Sequence, residues 1–74
     1  MNIEIEVFGR FIYIMERRQT WEMTEPMLIR DVLKRLGLNE EEVGLITVDG
    51  VQSEPEEFVH PGSRLCFFPH MSGG

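Results

Sequence analysis

Only one stretch of this chain spaces its apolar residues for a helix. Ile29, Val32, Leu33 and Leu36 fall at i, i+3, i+4 and i+7, while Arg30, Asp31, Lys34 and Arg35 take the other face. Pro26 can open this segment and Gly37 stands where a helix stops, so one helix is predicted near residues 28–36. A lone helix cannot form a bundle. Its apolar stripe has to be buried against a sheet.

The remaining apolar residues supply that sheet. Ile3, Ile5 and Val7 alternate with Glu4 and Glu6, which is the period of a half-buried strand. By the same alternation Phe8 points away from the core. Phe11 to Met15 is apolar and reads as a strand end or a packed loop. Gln19 to Thr24 is a second strand, with Trp21 and Met23 on one face, and should pair with the first as an antiparallel hairpin. Asn39-Glu40-Glu41-Glu42 can cap a short helical turn. Leu45 to Val48 is a strand closed by Asp49-Gly50, a tight-turn dipeptide. Val51 to Val59 reads as irregular, His60-Pro61-Gly62-Ser63 as a turn, and Leu65 to Phe68 as a last strand stopped by Pro69.

The expected fold is therefore α+β, a mixed sheet of four to five strands with one main helix packed on one face. The 74 residues leave room for one domain. Residues 1–69 should form it, and residues 70–74 should be a flexible tail ending Gly-Gly. The first and last strands are the most apolar, which places them together at the centre of the sheet. The tail would then leave from the middle of the sheet. Leu65 and Phe67 should face the helix, with Cys66 and Phe68 on the opposite side. Phe8 and Phe68 would then form an exposed aromatic patch beside the tail, the kind of surface that marks a partner site.

Charge and composition exclude several functions. Thirteen acids against seven bases give a net charge of −6, which disfavours nucleic acid and anionic membranes and favours a basic partner. The single cysteine, Cys66, cannot form an internal disulfide or supply a cysteine-pair zinc site. No apolar run approaches the ~20 residues of a membrane span. Met1-Asn2-Ile3-Glu4 lacks the basic start of a signal peptide, so a cytoplasmic protein is expected. None of the three serines lies in a nucleophile-elbow pattern, and His60 and His70 sit beside prolines without an orienting partner nearby in sequence. The side chains describe neither an enzyme nor a metal site. Lys34 is the only lysine against six arginines, which would suit a protein carrying an activated acyl end, since arginine stays protonated and inert.

The chemistry that is left belongs to Ser72-Gly73-Gly74. A carboxylate resists nucleophiles until it is activated, for instance as an acyl-adenylate. A glycine tail can thread a narrow channel to reach a partner's ATP, because no Cβ obstructs it.

The closing run Phe67-Phe68-Pro69-His70-Met71-Ser72-Gly73-Gly74 resembles the end of the small subunit of molybdopterin synthase and, more widely, the MoaD/ThiS sulfur carriers. His60-Pro61-Gly62-Ser63-Arg64-Leu65 is similar to that family's turn before the last strand. Val48-Asp49-Gly50 stands where the family often has Val-Asn-Gly, and Ile29 to Gly37 resembles its helix. The resemblance implies a ubiquitin-like β-grasp fold and a non-catalytic carrier. It implies that Gly74 is adenylated by a ubiquitin-activating-type partner using ATP and Mg, then converted to a thiocarboxylate, with Ser72 and Gly73 as its tail. The carrier itself would bind no cofactor or metal. The sulfur acceptor would be a pterin precursor held by a molybdopterin synthase large subunit, and Phe8, Phe68, His70 and Met71 would be the partner-binding residues. Carriers of thiamine and other sulfur routes, ubiquitin-like protein modifiers and non-covalent β-grasp adaptors share this outline.

Overall fold

A computed structural model describes residues 1–71; the expectations that fall on Ser72, Gly73 and Gly74 lie outside the described residues. Among the described residues, seven strands and one α-helix follow in order. They are β1 (Asn2–Val7), β2 (Arg18–Glu22), β3 (Met27–Leu28), α1 (Ile29–Leu36), β4 (Val43–Val48), β5 (Val51–Ser53), β6 (Phe58–Val59) and β7 (Arg64–Pro69). Five of them form one mixed sheet in the order β2-β1-β7-β4-β5, and β3 pairs with β6 in a small second sheet.

The first and last strands do pair at the centre. β1 and β7 run parallel, with Ile5 opposite Leu65 and Val7 opposite Phe67. β1 and β2 form the expected antiparallel hairpin. β4 lies antiparallel on the other side of β7, with Ile46 opposite Phe67 and Val48 opposite Leu65. Alternation thus puts Ile3, Ile5, Val7, Leu65, Phe67 and Ile46 on one face, where they are buried with Ile29, Val32 and Leu33 of α1. Gly37 ends the helix in the left-handed region at φ 82°, and Leu38 N–H bonds back to the Leu33 carbonyl at 3.0 Å. The result is a sheet wrapped around one helix, the β-grasp arrangement expected above.

Two segments depart from the sequence reading, Val51 to Val59 and Pro69, and at Phe11 to Met15 the structure decides between the two readings left open. Val51 to Val59 is not irregular. Asp49 and Gly50 both take positive φ (51° and 83°), the turn that suits the twist of a hairpin, so Val51–Ser53 folds back onto β4. Phe58–Val59 pairs with Met27–Leu28 in a ladder too short to show as a period in the sequence. Phe11 to Met15 is a packed loop, not a strand end. A 3-10 turn spans Gly9–Tyr13 and drops Phe11 into the core, while Ile12, Tyr13 and Ile14 stay exposed. Pro69 does not stop β7 but ends its ladder opposite Val43, at a strand end where a missing N–H is tolerated.

Candidate functional site

β7 is the middle strand of the sheet, and its last residue leads into His70 and Met71. The root of the tail is held from both sides. On the β1 side, Phe8 N–H bonds to the Phe67 carbonyl at 3.1 Å, and Gly9, at φ 59°, lets Pro69 approach so closely that a Cβ there would lie 2.6 Å from the proline Cγ. On the β4 side the register slips at Gly44. A Cβ at Gly44 would lie 2.8 Å from the His70 Cα and 3.0 Å from the Pro69 carbonyl oxygen. Only glycine leaves these two approaches open. His70 Nε2–H donates to the Glu41 carbonyl at 2.9 Å, tying the tail root to the 3-10 turn Glu40–Glu42.

The open face of the sheet places Phe8 and Phe68 together, as alternation required. Their rings stack face to face with centroids 4.4 Å apart and an angle of 7° between planes. Because each covers the other, both are half-buried, not fully exposed. They border an open, mostly apolar groove of about 410 Å³ that Gly9, Gly44, Leu45, Pro69, His70 and Met71 complete. Of the predicted partner-binding residues, Met71 is the most open at 94% exposure, whereas His70 is exposed but its ring turns back to Glu41. All four therefore lie around one groove at the point where the tail begins.

Sequence reasoning missed the charge cluster next to the rings. Glu6 was expected to be a solvent-facing strand residue, yet it is only 4% exposed. Arg64 hydrogen-bonds its Oε1, while Arg18 and Arg17 lie 3.5 and 3.6 Å from its Oε2. The Arg64 hydrogen bond, helped by the Arg18 charge, holds the Glu6 carboxyl below its usual range despite the opposing cost of burial. Arg17 also lies over the Phe8 ring, 5.9 Å from its centroid. Alternation put Glu6 on the open face. Nothing local in the sequence placed Arg64 beside it.

Residues 5–74 match the sequence profile of the ThiS family, nearly the whole chain. The chain belongs to the ThiS family. It is a small sulfur carrier of the ThiS/MoaD type. Solved structures share its fold at low identity. SAMP1 from Haloferax volcanii superposes with a TM-score of 0.77 at 19% identity, covering 100% of both chains. A Pyrococcus furiosus protein assigned as molybdopterin converting factor, subunit 1, gives 0.75 at 19%, covering 95% of this chain and 98% of that one. A chain from the complex of subunits 1 and 2 of molybdopterin-converting factor from Helicobacter pylori gives 0.60 at 20%, covering 100% of both chains. No curated protein matches the chain. These neighbours establish the ubiquitin-like β-grasp for this ThiS family member. Among its described residues, no helix is long and apolar enough to cross a membrane.

Proposed function

We propose that this ThiS family carrier works through its C-terminal Gly74 in molybdopterin biosynthesis. The carboxylate attacks the α-phosphorus of ATP, with Mg, on a ubiquitin-activating-type enzyme; pyrophosphate leaves and an acyl-adenylate forms. The terminal sulfur of a donor persulfide then displaces AMP to give an acyl disulfide, and a second thiol cleaves its S–S bond, leaving a thiocarboxylate on Gly74 and a disulfide on the donor. That sulfur passes to a pterin precursor bound by a molybdopterin synthase large subunit. The carrier supplies the reacting atom and the surface that presents it, and its partners supply the catalysis.

The observation that carries this reading is where β7 ends. The central strand delivers the tail beside a stacked aromatic pair and an apolar groove, with two glycines and the His70–Glu41 bond setting its root. Activation and sulfur delivery both need a partner to seize the fold while the terminal carbonyl enters the partner's own site. Phe8, Phe68 and Met71 offer apolar anchors for that purpose. His70 serves the tail from the inside, through Glu41. The Phe67-Phe68-Pro69 run favours the pterin route, and so do neighbours assigned to molybdopterin-converting factor, one of them solved with subunits 1 and 2 together.

Intact-protein mass spectrometry of the chain incubated with activating enzyme, ATP and a sulfur donor tests the reading. A mass gain equal to one oxygen exchanged for sulfur, mapped to Gly74, is the expected result. An unchanged mass would reassign the chain to a non-covalent adaptor. Adducts on lysines of other proteins would make it a modifier.

A further inference from the structure

The outer edge of β2 is open. β2 ends the five-stranded sheet, and among the described residues no other backbone segment bonds its outward groups. Which groups face outward follows from the ladder with β1. Val7 N–H bonds to the Arg17 carbonyl at 2.9 Å and Met23 N–H to the Met1 carbonyl at 2.8 Å. In that register Arg17, Gln19, Trp21 and Met23 turn their backbone polar groups toward β1. Arg18, Thr20 and Glu22 therefore direct N–H and C=O away from the sheet, and all three are exposed. Such an edge is a template for another strand, and proteins commonly block it with like charges, a proline or a bulge. β2 has neither proline nor bulge. Its charged residues, Arg18 and Glu22, are opposite in sign and stand symmetrically about Thr20.

We propose that β2 pairs antiparallel with β2 of a second copy of this chain, about a two-fold axis at Thr20. Arg18 then lies opposite Glu22 of the second copy, Thr20 opposite Thr20, and Glu22 opposite Arg18. Each pair exchanges two backbone hydrogen bonds, and the outer two add cross-strand ion pairs. Other registers fit worse. An axis at Arg18 or at Glu22 sets like charges against each other. One at Gln19 puts Glu22 opposite Glu16, and one at Trp21 leaves Arg18 and Glu22 facing threonines. In the Thr20 register no carboxylate of residues 16–24 meets a carboxylate, which matters between copies of net charge −6. On the helix side Trp21 comes beside Gln19 of the second copy, its ring already covered by Arg35 of α1, 5.2 Å from the centroid. The contact uses the same strand on both copies, so it closes at two. β1 separates β2 from β7, so the pairing does not cover the groove at the end of β7. Such a dimer goes beyond the carrier reading and does not depend on it.

Sedimentation equilibrium of the full chain provides the test. A monomer–dimer equilibrium is expected at roughly 0.1–1 mM, as suits a contact of this small size. Glu22→Arg sets arginines opposite each other and should weaken the dimer by roughly tenfold, and Arg18→Glu should do the same with glutamates. Mixing the two variants restores both opposite-charge pairs, so heterodimers should form in the wild-type concentration range. Thr20→Pro removes one outward N–H and no bond to β1, and should give a folded monomer. Melting curves check that each variant is folded. Glu22→Arg and Thr20→Pro lie outside the Glu6 cluster and keep the test open should Arg18→Glu fail to fold. A wild-type monomer throughout that range overturns the proposal. So does a dimer that Glu22→Arg and Thr20→Pro leave intact, which would place the contact elsewhere. A Thr20 amide that slows in hydrogen exchange only when the activating enzyme is added would give the edge to that enzyme and overturn the proposal too.

Discussion

A glutamate in an alternating strand usually faces solvent, but Glu6 lies under three arginines, and that placement makes stability depend on acid. Its carboxyl titrates below its usual range when folded, chiefly because Arg64 donates to it. The unfolded chain therefore takes up the proton at higher pH than the folded one. The stabilisation from Glu6 is fully present above the unfolded pKa of about 4.3 and is lost as pH falls through the lower folded value. Urea midpoints measured from neutral pH downward should fall in that window, and Glu6→Gln should flatten the decline. An unaltered acid limb in Glu6→Gln would show that other carboxylates govern it. Gly44→Ala tests the tail root. Its Cβ would meet His70 backbone at 2.8 Å, which no rotamer change relieves, so a loss of about 1–3 kcal/mol is expected from urea unfolding. Phe68→Ala should leave the fold in place and weaken partner binding by about 1–3 kcal/mol in calorimetry, because it removes half of the stacked anchor. Unchanged affinity would remove Phe68 from the docking surface.

The elements differ in how openly the sequence announces them. α1 is explicit: its apolar stripe and its glycine stop are local, and the helix spans Ile29–Leu36 against the predicted 28–36, but Pro26 does not open it, because the strand β3 (Met27–Leu28) comes between them. The Asp49-Gly50 hairpin is equally local, since positive φ at both positions is what that dipeptide allows. β5 and β6 are not legible in this way. Their strands hold three and two residues, too few for alternation to register, and their existence depends on the strands they pair with. The 3-10 turn at Gly9–Tyr13 is apolar throughout Phe11 to Tyr13 and gives no period at all. Burial links α1 to stability. Leu33 is 1% exposed within the core, so Leu33→Ala should cost about 2–5 kcal/mol and leave a domain of this size mostly unfolded in thermal melts. A melt close to wild type would mean the helix contributes less than its burial indicates.

At the scale of the whole molecule, one core buries the inner face of the sheet against the helix, and the open face gathers two rings, a groove, an arginine cluster and the root of the tail. Deleting Gly73 and Gly74 should therefore abolish thiocarboxylate formation while leaving the melting temperature unchanged, since the core closes within residues 1–71. Full function in that deletion would favour an adaptor. A fallen melting temperature would tie the tail to the fold itself.

The sequence by itself determined the fold class, the helix and the strand faces, and it carries the proposal that the terminus is the place for chemistry. Each of these follows from local periodicity, turn residues or covalent position, which a linear chain displays directly. Only the tertiary structure decided which open-face residues meet. The parallel pairing of β1 with β7 sets Glu4 opposite Arg64 and Glu6 opposite Cys66, bringing Arg64 diagonally onto Glu6, 58 positions away, and, by the same register, Phe68 onto Phe8. Alternation fixes the face of a residue but not its neighbour across the sheet, because register is set by the packing of the buried face against the helix.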